Sequence, residues 1–380
     1  MRILEAFGEP ISYGGQEAFV LNVLRKMDMT GIEADFLTPY YCDNPAAEDF
    51  AKEHSGTVYS LGCDFRPGSL RSGERKHIER FLKTHRYDII HIHSGSNSML
   101  AMYARLAHRA GIPGIIVHSH CTGRRGWKHT LSKAATAFSL SAYPTDYCAC
   151  SEDAGKWRFP ARICRDRLIV IKNGIEVDRF RYDASMREAV RGKLGIGDED
   201  VLIGNVGRLT GQKNQSALID ILAEIRSREK NGTIGKDRRG EYRLILIGDG
   251  EDREMLEKKA EILKVGDSVL FTGAVDNVAD YLQAIDVAAM PSRYEGLAIA
   301  AIEAQAAGLE VYASHAIPEL AAVTPHLKFL PADDVNAWAE ALASPHRRHP
   351  EGADLAEKNG FGSGEAAATV RRIYMQYGRR

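Results

Sequence analysis

The chain has 380 residues, 44% of them hydrophobic, and a formal net charge of −1. That length exceeds one ordinary domain and makes two the natural reading, while the near-neutral charge excludes a general nucleic-acid binder. The six cysteines, Cys42, Cys63, Cys121, Cys148, Cys150 and Cys164, show no paired metal-site spacing and read as reduced core or near-core residues of a cytosolic protein.

Taken in order, MRILEAF (1–7) reads as a first strand rather than a signal peptide, because polar residues and glycines follow it at once. Residues 8–15 are a loop, 16–29 an amphipathic helix and 32–38 a second strand, a Rossmann-like opening. The loop lacks the dinucleotide fingerprint G-x-G-x-x-G. Gly14 and Gly15, set before a helix, still let backbone approach an anion closely, and a plain tight turn explains them equally well. A helix at 72–84, a strand at 88–93 (DIIHIH), a helix at 97–110 and a strand at 114–120 (GIIVHSH) follow. Such alternation implies a mainly parallel sheet covered by helices, with ligands outside the carboxyl ends of its strands. His93 and His120 both end strands and are expected to face that crevice.

Residues 123–143 set Arg124, Arg125, Lys128 and Lys133 beside Trp127, Leu131 and Phe138. This basic amphipathic stretch suits anionic lipid; a solvated helix covering the sheet would look the same. No apolar run is long enough to span a bilayer. Strands at 146–150 and 168–172 and the Asn173-Gly174 turn close the first half. In the second half, strands are expected at 201–206, 243–247, 269–272 and 286–290, with helices near 214–229, 251–264, 276–284 and 297–307, and a final helix at 364–377.

Arg208 and Lys213 follow the strand 201–206, which places two cations at its carboxyl end. A leaving diphosphate needs such charge, and an arginine offers a planar fork of donors for phosphate oxygens; cations that merely solvate a loop are the alternative. Gly248, in Gly-Asp-Gly after the next strand, can line the same crevice. No D-x-D pair stands at a strand end, so no catalytic metal is expected. Glu295 and Glu303 lie eight residues apart, the first expected where a helix begins and the second two turns in. Eight helical residues rise about 12 Å, close to the reach from a sugar ring across a diphosphate to a ribose. The helix N-terminus between them suits phosphate. Any amphipathic helix with one glutamate at its dipole end and another facing solvent would show the same spacing.

Together NGIEVDRF (173–180), VGRLTGQKN (206–214), IGDG (247–250) and the run from FTGAVDN to EAQAAG (271–308) are similar to retaining GT-B glycosyltransferases of family four. HSHCTG (118–123) and TDYCACSEDAGKWRF (145–159) resemble the capsular and exopolysaccharide members most. The resemblance covers nearly the whole chain. It implies an α/β fold of two Rossmann-like domains with parallel sheets facing across a cleft: residues 1–175 for the acceptor, 176–360 for the donor, and 361–380 packing back on the first. It implies donor contacts at Gly14, Gly15, Gly248, Gly296, Leu297 and Ala298. Glu303 would bind the ribose hydroxyls, Glu295 would lie beside the transferred sugar, Arg208 and Lys213 would clamp the diphosphate, and His120 would hold the sugar at the reacting centre. Leu297-Ala298 stands where Phe-Gly is commoner, and Glu310 where proline is usual.

The implied activity is a retaining, metal-independent hexosyltransferase in capsular or exopolysaccharide biosynthesis. It would take a nucleotide diphosphate sugar, UDP-linked, and pass the sugar to a saccharide acceptor on a lipid carrier. It would need no cofactor, and would work in the cytoplasm or peripherally on the inner face of the membrane, through residues 124–140. A sugar-nucleotide 2-epimerase on the same fold and a non-catalytic sugar-nucleotide-binding protein are the alternatives.

Overall fold

Runs such as IIHIH and GIIVHS have no polar face, so they fit only strands covered on both sides, as the middle of a parallel sheet requires. The computed structural model describes residues 1–66, 72–120, 127–234 and 240–378, and its contacts divide the chain into two units, Met1–Ile175 with Ser363–Arg380, and Glu176–Gly362. The first unit holds β1 (Arg2–Phe7), β2 (Glu33–Thr38), β3 (Val58–Ser60), β4 (Ile89–His93), β5 (Gly114–Ser119), β6 (Asp146–Ala149) and β7 (Leu168–Val170). They form one parallel sheet in the order β3-β2-β1-β4-β5-β6-β7. The order reverses direction between β1 and β4, where the loops after the two strands touch: the Gly8 N–H donates to the His93 carbonyl (2.8 Å) and the Ser94 hydroxyl to the Glu9 carboxylate (2.9 Å). One face of the sheet packs Phe19, Leu24, Phe36 and Ile373; the other packs Ile90, Leu100, Tyr103 and Phe159. Helix Ser363–Tyr374, from the far end of the chain, lies against helix Gly15–Lys26 on the first of these faces.

The second unit holds β8 (Val201–Val206), β9 (Tyr242–Ile247), β10 (Val269–Gly273), β11 (Val287–Met290), β12 (Glu310–Ser314) and β13 (Leu327–Leu330). This parallel sheet runs β10-β9-β8-β11-β12-β13 and reverses between β8 and β11. Leu218, Leu222, Leu244, Val287 and Trp338 belong to its core. Both sheets thus carry a switch point at their first strand, and the two units are each doubly wound α/β.

Several elements escape the sequence expectation. Helix Pro45–Glu53 starts with proline in its first turn, a position where the missing N–H costs nothing. Helix Ala184–Leu194 is capped by Asp183, whose carboxylate accepts from the Ser185 and Met186 N–H groups, and Gly195 ends it at φ 64°. The helix after β11 is Ile299–Ala306, shorter than expected. Glu295 therefore lies in the loop before it, not at its start, and the helical rise does not measure the separation of the two glutamates. Residues 291–298 are held out of the helix by neighbouring loops. The Arg293 N–H donates to the Gln212 carbonyl (2.8 Å), the Gln212 amide donates to the Tyr294 carbonyl (3.0 Å), and the Ser314 hydroxyl donates to the Ser292 carbonyl (2.5 Å). Among the described residues no helix is long and apolar enough to cross a membrane.

Candidate active site

In the second unit the two loops at the switch point are stitched into one surface. Asn205 in β8 donates to the Ala289 carbonyl of β11 (2.7 Å). Gln215 donates to the Asn205 side chain and the Arg208 carbonyl (3.2 and 3.1 Å), and Asn214, at φ 58°, donates to the Pro291 carbonyl (3.1 Å). This scaffold carries Lys213 to Glu295, Nζ to Oε1 at 2.6 Å, and the Ser292 hydroxyl donates to the same oxygen at 2.9 Å. Gly248 must be glycine. Its φ is +134°, and a Cβ there would stand 2.3 Å from the Gly207 carbonyl oxygen, so the loops after β8 and β9 touch through bare backbone.

Glu303 lies in the second turn of helix Ile299–Ala306. It is half-buried, yet protein surrounds its carboxylate closely enough to push its pKa up to about 7; burial is the cause, and the cations of Arg179 and Lys213 pull the other way. No side chain or backbone group among the described residues hydrogen-bonds this carboxylate. Lys213, Glu295 and Glu303 are thus brought into one neighbourhood. Arg208 is not: its guanidinium is 74% exposed and pairs with Glu251 at 3.3 Å. Leu297 and Ala298 are buried beneath the loop and Gly296 is half-buried.

In the first unit Gly14 is the N-cap of helix Gly15–Lys26. Glu17, in the first turn, folds back over the loop, so that a Cβ on Gly14 would meet its Oε2 at 2.5 Å. Glu17 is itself buried. Burial pushes its pKa up to about 7, and the nearby Glu9 and Asp43 carboxylates add to the rise.

His93 and His120 do not both face a crevice. His93 is fully buried, with Nε2 2.8 Å from Glu5 Oε2 and Nδ1 2.8 Å from His120 Nε2. Glu5 also accepts from the Tyr374 hydroxyl at 2.6 Å, which in turn lies 2.7 Å from His91 Nδ1. His91 Nε2 is 3.2 Å from His118 Nδ1. Phe19 packs against the rings of His93, His118 and His120. Sequence reasoning missed Glu5, His91, His118 and Tyr374. The signal was the repeated H-x-H, since alternate residues of a strand share a face.

Two groups of side chains bring potential metal ligands within 4.8 Å of one another: His91, His93 and His118, and His326, His349 and Glu351. In the first group the ring nitrogens other than His118 Nε2 are already engaged in hydrogen bonds. In the second, the two rings stack at 3.4 Å with 12° between their planes, so their in-plane lone pairs run side by side instead of converging on one ion. The carboxylate that replaces proline at Glu310 faces His346 and His349 at 3.3 and 3.6 Å.

Of the basic stretch 124–140, Arg124, Arg125 and the Lys128 side chain lie outside the described residues. Helix Trp127–Ala142 presents Trp127, Leu131 and Phe138 at 71, 60 and 74% exposure. Lys133 donates to the Lys156 carbonyl.

Residues 13–179 match the family described as Glycosyltransferase Family 4, and residues 186–356 match the one described as Glycosyl transferases group 1. A putative glycosyltransferase of Bacillus subtilis, EpsF, is 30% identical over 346 residues, which cover 87% of this chain and 84% of that protein. A D-inositol 3-phosphate glycosyltransferase of Catenulispora acidiphila is 27% identical over 95% of this chain and 90% of its own. The Anabaena protein Alr3699/HepE, solved in complex with UDP, superposes with a TM-score of 0.71 at 17% identity over 99% of this chain and 100% of that one. WaaG, a glycosyltransferase involved in lipopolysaccharide biosynthesis, superposes with a TM-score of 0.73 at 17% identity over the full length of both chains.

Proposed function

The chain belongs to the GT-B glycosyltransferases of family four, and we propose that it moves a sugar from a UDP-sugar to a saccharide acceptor with retention of anomeric configuration. The observation that carries the donor half is Glu303. A half-buried carboxylate with no hydrogen-bond partner among the described residues, beside the Lys213–Glu295 pair and at the switch point of its sheet, is suited to accept the two hydroxyls of a ribose.

The chemistry follows from the same residues. The diphosphate oxygens gain charge as the bond from the sugar C1 to the leaving oxygen breaks. Lys213, Arg208 and the loop amides meet that charge, without a metal ion. Arg208, exposed in its pairing with Glu251, would turn from that carboxylate to the phosphate. Lys213 pairs with Glu295 beside the sugar, and His120 holds the sugar from the strand end of β5. The acceptor hydroxyl attacks C1 on the face from which the diphosphate leaves. Its proton passes to the departing phosphate oxygen, so no protein nucleophile is needed.

The acceptor we infer is a saccharide on a lipid carrier, for capsule or exopolysaccharide. Exposed Trp127, Leu131 and Phe138 would insert shallowly at the surface of the membrane that holds it. The liposome test is direct: sedimentation with vesicles of anionic lipid, lost in a Trp127→Ser/Phe138→Ser variant.

Incubation with labelled UDP-sugar, with and without acceptor, tests the reaction. Label in a glycoside only when acceptor is present is the expected result. An altered free sugar nucleotide, formed without acceptor, would contradict transfer.

A further inference from the structure

Two cations act on the Glu303 carboxylate, and they reach it from different parts of the second unit. Lys213 comes from the loop after β8, in the middle of the sheet, and meets Glu295 at 2.6 Å. Arg179 comes from the short helix Val177–Phe180, which packs against helix Ile299–Ala306, the carrier of Glu303, and against helix Val278–Ala284. Its Nη2 donates to the Asp276 carbonyl at 2.9 Å, in the turn between β10 and helix Val278–Ala284. β10 is an edge strand of the sheet. One cation beside Glu303 is thus tied to the middle of the sheet and the other to its edge.

A nucleotide sugar is a chain of four parts: sugar, diphosphate, ribose and base. With the sugar beside Glu295, the diphosphate at Lys213 and the ribose on Glu303, the base continues on the side away from Lys213. On that side stand Arg179 and the turn at Asp276. Arg179 is exposed, and among the described residues it forms no ion pair, whereas Arg181, two residues on, is shared by Asp178 and Asp354 at 3.3 and 2.8 Å. A guanidinium carries five N–H donors in a planar fork. The bond to the Asp276 carbonyl leaves others for a ligand.

We propose that Arg179 selects the nucleobase of the donor, its guanidinium fork donating to a carbonyl oxygen of uracil. Uracil presents carbonyl acceptors, as thymine does with O4, whereas adenine presents its N6 amino donor at the corresponding edge. A donor that faces a donor leaves both unpaired, so the fork that favours uracil also rejects adenine. Guanine, with its O6 acceptor, would be rejected less. The inference rests on the reading of Glu303 as the ribose ligand and names the contact of the next group along the same molecule.

Calorimetric titration of UDP, GDP and ADP at pH 8 into the parent protein, Arg179→Ala and Arg179→Lys tests it. The parent protein is expected to prefer UDP to ADP, with GDP between them. Arg179→Ala should cut the preference for UDP over ADP about tenfold or more, at an unchanged melting temperature without ligand. Arg179→Lys keeps the charge but not the planar fork, and should lose the preference as well. The two variants part in their pH profiles. Removing the cation removes a pull that favours ionised Glu303, so in Arg179→Ala the rise of UDP affinity with pH should move to higher pH, and in Arg179→Lys it should stay where the parent protein has it. An equal loss of affinity for all three nucleotides in Arg179→Ala, or no loss for any, would overturn the inference; UDP affinity that still falls on Glu303→Ala would leave the ribose reading standing. A parent protein that binds no UDP would overturn that reading, and the choice of base with it.

Discussion

Both units hold ionisable side chains at the reversal point of a parallel sheet, and they do it in opposite ways. In the second unit the charges sit on loops: Lys213 and Glu295 meet at 2.6 Å across two segments tied together by Asn214 and Gln212. In the first unit they sit inside strands: Glu5 on β1 and His91 and His93 on β4 are buried, and each is hydrogen-bonded to another buried side chain. A loop-borne pair can exchange partners when phosphate arrives. A strand-borne network cannot, because each unpaired buried polar group would cost about 1–3 kcal/mol. The first arrangement suits a ligand whose charge changes during reaction, the second a ligand that must be held in one orientation.

The largest effect expected from this contrast is at Lys213. Lys213→Ala removes the cation that faces Glu295, and turnover should fall about 10²- to 10³-fold with the fold intact by circular dichroism. Arg208→Ala should also cut turnover more than donor binding, though less than Lys213→Ala, since its guanidinium is already mostly in water. The reverse order would break the claim that the stitched loops, not the exposed arginine, bear the charge. Next comes Glu303→Ala. Hydrogen bonds to a charged group are worth about 1.5–3 kcal/mol, so donor affinity should drop roughly tenfold to a hundredfold, measured by titration calorimetry.

How far the sequence revealed these sites depends on where their partners lie. Lys213 and Arg208 share one loop and Glu295 and Glu303 one strand–loop–helix unit, so spacing alone pointed to them. The placement of Glu295 at a helix start failed, because helix propensity at 297–307 says nothing of the hydrogen bonds from Gln212 and Ser314 that keep 291–298 extended. The alternation of strands and helices was legible from apolar runs, whereas Pro45–Glu53 and β13 were too short and mixed to stand out. Glu5 and Tyr374 are 369 residues apart in sequence, and no local pattern joins them. The two H-x-H strands carried half of the network in plain view, but their register, His93 opposite His118, exists only in the sheet.

Two smaller effects follow from the glutamates that both units push up to about 7. Glu303 accepts ribose hydroxyls as the carboxylate, so bound donor favours its charged form. Donor affinity should therefore rise as pH increases towards and through about 7 and level off above it, and Glu303→Gln should flatten that slope. Glu17 has a folded pKa above its ordinary value of 4.5, so the fold prefers its protonated form. Its cost to stability is fully present above about 7 and disappears as pH falls to about 4.5. Glu17→Gln should raise the melting temperature at pH 8 and change it little at pH 5. A variant less stable at pH 8 would show instead that the charged carboxylate supports the glycine loop it covers.

The central claim is that the second unit holds the nucleotide through Glu303 and needs no metal to do so. Calorimetric titration of UDP at pH 8 in the presence of EDTA, into the parent protein and Glu303→Ala, tests it most directly. The account predicts binding by the parent protein and affinity at least about tenfold weaker in the variant. Equal affinities in the two proteins, or no binding until Mg²⁺ is added, would contradict it.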